Sequence, residues 1–146
     1  MKTELKMRIV LDTNIILSNI SRKSPYHLIL KKLFDGFYDL YITTEILLEY
    51  EEKITSNFDA ELAQAFISAL LIKSNVKKID IYFDLNLIEA DKDDNKFVNC
   101  AFASNAHFIV TNDKHFNILK MIEFPRIEIV DINEFNAQWA SGSFKT

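Results

Sequence analysis

Two stretches of the chain run apolar residues straight into a polar cluster. Ile9-Val10-Leu11 ends on Asp12-Thr13-Asn14, and Phe108-Ile109-Val110 ends on Thr111-Asn112-Asp113. A short continuous apolar run bounded by polar residues predicts a strand buried on both faces. In open α/β sheets, ligands bind outside the carboxyl ends of such strands. Both runs therefore deliver an acid to the edge where chemistry is expected. Further strands are predicted over 38–42, 76–83 and 127–131, beside 8–12 and 107–111.

Between the strands the period changes to that of helices. Ser24-Pro25 pairs a capping serine with a proline suited to the first helical position, Tyr26, Leu30, Leu33 and Phe34 follow at helical spacing, and Gly36 supplies the stop. Thr43 or Thr44 caps a helix running to about Ile54. Ser56 or Asn57 caps another, whose apolar face is Leu62, Ala63, Phe66, Ile67, Leu70 and Leu71. Asp91 opens a helix with Phe97, Val98, Ala101 and Phe102 on one face. Lys114 to Met121 reads as a short helix, Asn133 as the cap of a terminal one, and 19–23 as a polar loop. Strands alternating with helices imply a mostly parallel sheet with helices on both faces.

The chain has 146 residues, 49% of them hydrophobic, which is enough for one domain, 1–146, with its own core; residues 139–146 read as a frayed tail. The single cysteine, Cys100, rules out an internal disulfide and falls in an apolar helical pattern, so an intracellular, cytoplasmic setting is expected. The charged start Met1 to Lys6 lacks the apolar core of a signal peptide. No run of 18 apolar residues predicts a membrane span. A net charge of −4 does not announce a nucleic-acid binder. The balance is uneven, however: Lys2, Lys6, Arg8, Arg22, Lys23, Lys31 and Lys32 make the first quarter basic, while acids gather at 45–52 and 91–94. A pocket of carboxylates lowers the total without excluding a phosphate ligand if cations bridge the two.

Each acid has an ordinary alternative. Asp12 and Asp113 suit turn or helix caps. Glu49 shares a helix face with Glu45 and suits solvation. Asp91 and Asp94 both suit a helix N-terminus, yet Asp94 also lies in register with Val98 and Ala101, which aims it along the buried side, where an acid needs a partner. Asp131 also ends an apolar run, so strand-end logic alone recruits too many acids.

Taken together, Val10-Leu11-Asp12-Thr13-Asn14, Glu49 after Thr43-Thr44, Asp94 before Phe97-Val98 and Ala101, and Thr111-Asn112-Asp113 resemble, in order and spacing, the motifs of the PIN-domain family over about residues 7–136. Asp91 to Phe97 with Thr111 to Lys114 is similar to the branch of toxin components of bacterial toxin–antitoxin pairs, the VapC-like ribonucleases. Asn112 stands where glycine is common. The resemblance implies a three-layer α/β/α fold with a mostly parallel sheet of about five strands, akin to the flavodoxin-like class. It also implies metal-dependent hydrolysis of RNA. Asp12, Glu49, Asp94 and Asp113 become the catalytic acids, and Asp131 drops out. A small antitoxin partner and a homodimer are also implied.

Four converging carboxylates repel by about 3 kcal/mol per pair at roughly 6 Å and an effective dielectric near 20. Such a site takes protons or a cation, and oxygen ligands favour one or two Mg²⁺ or Mn²⁺ ions. The chemistry expected of them is polarisation of the scissile phosphate, supply of hydroxide and stabilisation of the leaving oxygen. Asp12 is expected at the centre, Asp94 and Asp113 completing the shell, and Glu49 binding through water or orienting the nucleophile. Thr13, Asn14 and Thr111 suit orientation of carboxylates or phosphate, or plain turn capping. Lys96 and Lys114 suit RNA phosphates or surface solvation, and Tyr50, Phe97 and Phe116 suit base stacking or core. His27, His107, His115 and Cys100 are too dispersed in sequence to suggest zinc. The competing functions are an inactive PIN-like binding module, a haloacid-dehalogenase-type phosphohydrolase, which needs an acid where Asn14 stands, and a receiver domain, which needs an acidic pair near Asp12.

Overall fold

The computed structural model describes residues 6–21 and 28–141, with side chains described to residue 137. Its centre is β1 (Arg8–Leu11). Ile9, Val10 and Leu11 are completely buried, as a strand covered on both faces must be. Around it, β2 (Asp39–Ile42), β3 (Val76–Lys78), β4 (Phe108–Val110) and β5 (Ile129–Val130) complete an all-parallel sheet of order β3-β2-β1-β4-β5. The architecture is the expected three-layer α/β/α. The order differs from flavodoxin's, in which the third strand lies beside the first; here β3 extends the sheet outward from β2. The winding direction reverses between β1 and β4, so the ends of those two strands flank the switch point where α/β sheets place their ligands.

Helix α1 (Thr13–Asn19) begins directly after β1 and buries Ile15 and Ile16. Its last residue, Asn19, was expected to open a loop. The cap expected at Ser24-Pro25-Tyr26 lies outside the described residues, and the described part of that helix is α2 (Leu28–Phe34). Gly36, at φ +82°, closes it, with Phe37 N–H bonded to the Lys32 carbonyl and Gly36 N–H to that of Leu33. Helix α3 (Thr44–Asn57) starts on Thr43, whose hydroxyl accepts from Ile46 N–H. It runs further than expected, because Ser56 and Asn57 bond back to the carbonyls of Glu52 and Lys53 instead of starting a new helix. Asp59 caps α4 (Ala60–Leu71) in their place, accepting from Leu62 N–H at 2.7 Å.

The strand expected over 76–83 stops at Lys78. Beyond it the chain crosses the surface as far as residue 91, held by two asparagines of α5 (Asn95–Ser104). Asn95 is 3% exposed; it accepts from Ile88 N–H at 2.8 Å and donates to the Ile88 carbonyl at 2.9 Å. One turn later, Asn99 accepts from Leu85 N–H and donates to Asp84. These side-chain bonds replace the sheet ladder that residues 84–88 lack. Asn95→Ala leaves both Ile88 groups without their partner and is expected to cost about 2–3 kcal/mol, read as a lower denaturant midpoint at unchanged slope.

Helix α5 follows a 3₁₀ turn, Lys92–Asp94, and packs on β1, β2 and β4. It ends on Asn105 in the left-handed conformation, with Ala106 N–H reaching the Ala101 carbonyl. A 3₁₀ stretch, Lys114–Met121, follows β4. Asp131 caps α6 (Ile132–Ser141) through a reciprocal pair with Glu134. Asn133, the expected cap, lies inside that helix, which is described to Ser141; the rest of the tail expected to fray lies outside the described residues. No helix among the described residues is long and apolar enough to cross a membrane.

Candidate active site

Asp12 sits at the end of β1 and is 4% exposed. Its side chain makes no capping bond to α1. Instead Oδ2 accepts from the Thr111 hydroxyl at 2.8 Å. Thr111 in turn accepts from Asp113 N–H at 3.0 Å, so one threonine past β4 fixes both strand-end acids. Burial, joined by the charges of Asp113 and Glu49, raises the Asp12 carboxyl to about 6, against the opposing bond from Thr111.

Asp94 ends the 3₁₀ turn before α5, and its side chain makes no capping bond either. In line with its spacing, its side chain is largely covered, on the side of the helix where Val98 and Ala101 are buried. Its Oδ2 is enclosed and has no hydrogen-bond partner. Burial and the charges of Asp91, Asp113 and Asp12 raise its carboxyl to about 7, against the opposing effect of His115. The capping alternative thus fails for Asp12 and Asp94. It holds for Asp113, which accepts from His115 N–H, for Asp91, which accepts from Asp93 N–H, and for Asp131.

Glu49 approaches from α3. The helix is pinned to the sheet by Tyr50, whose hydroxyl donates to the Leu11 carbonyl at 2.6 Å, one residue before Asp12. The Thr13 hydroxyl donates to Glu49 Oε2, and Lys96 Nζ lies 2.9 Å from Oε1. Lys96, expected on RNA phosphate or in solvent, is instead folded into the site. Lys114 and Asn14 are exposed. Asn112 uses its carbonyl oxygen to accept from Ile132 N–H, tying the strand end to α6. Tyr50, Phe97 and Phe116 are buried core, not stacking surfaces. His107 lies at Arg8, accepting from its backbone N–H.

The four expected acids therefore converge on one edge. The sequence did not single out His115, whose Nδ1 is 3.5 Å from Asp113 and 3.7 Å from Asp94. With Asp91 and Asp94 it forms a group whose potential ligand atoms all lie within 4.8 Å of one another. The signals available were Asp113-x-His115 and Asp91-x-x-Asp94. A cleft of ≈ 470 Å³ adjoins the site, between the start of α3, residues 79–84 and the first turns of α5, with Lys96 in its wall.

Donors that are nearly all oxygen, a buried and a half-buried carboxylate raised towards neutrality and one enclosed oxygen without a donor fit a hard divalent cation. The arrangement defines an α/β domain with an acidic pocket at the carboxyl edge of a parallel sheet. Residues 8–115 match the model of a PIN domain family, and the chain belongs to that family. No curated protein matches the sequence significantly. Among solved structures, VapBC2 from Rickettsia felis, bound to a DNA fragment from its promoter, is similar over 86% of this chain and 98% of that one, at 22% identity and a TM-score of 0.56. The RRP44 PIN domain of T. brucei is similar over 94% and 83%, at 9% identity and a TM-score of 0.55. These likenesses agree with the fold.

Proposed function

We propose that the chain, as one PIN-like domain, is a divalent-metal-dependent endoribonuclease acting in the cytoplasm as the toxin of a toxin–antitoxin pair. The observation that carries the nuclease reading is the enclosed Asp94 oxygen without a donor, set in the field of Asp12 and Asp113. Asp12, Asp94 and Asp113 would hold Mg²⁺ or Mn²⁺, with Glu49 at the edge of the set. The bound cation supplies Lewis acidity and a nucleophilic hydroxide for phosphodiester hydrolysis.

The chain's own residues provide the rest. Thr111 orients Asp12 and sets the backbone of Asp113. Thr13 orients Glu49. Exposed Lys114 and Lys120 line a concavity beside Asp113 and suit the RNA backbone. The toxin role and the small antitoxin partner rest on family membership and on the likeness of residues 91–97 and 111–114 to that branch.

Adding Mn²⁺ to the metal-free chain is expected to raise its melting temperature, and single-stranded RNA is expected to be cut with Mn²⁺ or Mg²⁺ and spared with a chelator. Metal stabilisation without cleavage of any RNA offered would favour a binding module instead.

A further inference from the structure

Glu49 reaches the acidic edge with its charge already matched. Oε1 lies 2.9 Å from Lys96 Nζ, and that lysine's side chain is only 9% exposed. Oε2 takes the Thr13 hydroxyl. The ammonium also donates to the Asp93 carbonyl at 2.7 Å and lies 3.2 Å from the Asp93 carboxylate. Three donors thus meet three oxygens, which is all an ammonium can offer, while Nζ lies 5.4 Å from the centre of the Phe97 ring. Among the described residues, Asp12 and Asp94 have no lysine or arginine in the ion pairs of the site. The charged groups around Asp94 are Asp91, Asp113, Asp12 and His115, whereas Glu49 acts on Asp12. The acidic edge is therefore divided: one side is an internal ion pair, the other is a set of carboxylates without a permanent cation.

We propose that Lys96 is a positioning residue that occupies the cation place beside Glu49, so that the pocket binds a single divalent ion on the Asp12–Asp94–Asp113 side. This rests on the metal-nuclease reading above and fixes its ion count. A two-ion site needs ligands on both flanks of the central carboxylate. Here the Glu49 flank holds a resident +1 charge on a short tether, two residues after Asp94. That ammonium would repel a second cation brought beside Glu49. A lysine in this position acts as a point charge with no metal-like coordination demand.

The test is calorimetric titration of Mn²⁺ into the metal-free full chain, with melting curves to verify folding. One ion per chain is expected for wild type and for Lys96→Arg. Lys96→Met exposes the Glu49 carboxylate and should take two. The double variant Lys96→Met/Glu49→Gln removes the pair as a neutral unit and should return to one, with affinity for that ion within the roughly 10- to 100-fold that supporting groups around a metal site command. Two ions on the wild-type chain, or one on a folded Lys96→Met chain, would overturn the proposal while leaving the nuclease reading intact. Should Lys96→Met not fold, the double variant decides: a loss of affinity well beyond about 100-fold would make Glu49 a ligand and end the proposal. A wild-type chain that takes up no Mn²⁺ would remove the metal reading and this inference together.

Discussion

Asp12→Asn should leave a folded protein that has lost RNA cleavage by about 1,000-fold or more, the upper range for removing one group that stabilises transition-state charge. The substitution keeps the side chain's size and a partner for the Thr111 hydroxyl 2.8 Å away. It removes the charge at the middle of the acid set, which both Glu49 and Asp113 feel. The same change should stabilise the metal-free chain at pH 8. A buried carboxyl held at about 6 rather than 3.8 costs the ionised native state about 3 kcal/mol at 1.36 kcal/mol per unit. Recovering part of that raises the melting temperature by several degrees at about 2–4 °C per kcal/mol. Higher stability together with lost activity separates a missing ligand from a damaged fold. Cleavage by Asp12→Asn at the wild-type rate and metal dependence would refute the assignment of Asp12.

The metal-free chain should melt at a higher temperature at pH 5 than at pH 8. Asp94 and Asp12 have native carboxyls at about 7 and about 6, both above their unfolded value of 3.8. The native state therefore binds more protons than the unfolded one across this window. Its stability rises as pH falls through the native values and levels off near the unfolded one. His107 works against this trend, since burial and Arg8 lower its pKa. Asp84, held low by Asn99, loses its contribution only at more acid pH. The slope should be shallower in Asp12→Asn, and the difference from wild type isolates Asp12. Saturating Mn²⁺ should invert the order of the two temperatures, because the ion competes with protons for the same oxygens. A pH slope in metal-free Asp12→Asn identical to that of wild type would mean that Asp12 is not strained by its surroundings.

Much of this was legible in residue order. The apolar runs before Asp12 and Thr111 marked the two central strands, and the spacing of Asp94 with Val98 and Ala101 correctly turned it inward. What stayed hidden depends on partners far away in sequence. Residues 84–88 are held by the amides of Asn95 and Asn99 instead of a strand neighbour, which no local period encodes. Asp59 displaced Ser56 and Asn57 as a cap because those two side chains found carbonyls one turn back. Lys96 read as a surface cation, since its pairing with Glu49 spans α3 and α5. His115 looked isolated among scattered histidines until the 3₁₀ turn before α5 and the end of β4 met.

The bond from Thr111 to Asp12 joins positions 99 residues apart. β1, which carries Asp12, lies between partners made later in synthesis. The acidic pocket is therefore complete only when β4 has docked beside β1: opening that one seam takes the threonine wall away from Asp12 and unsettles Asp113 with it.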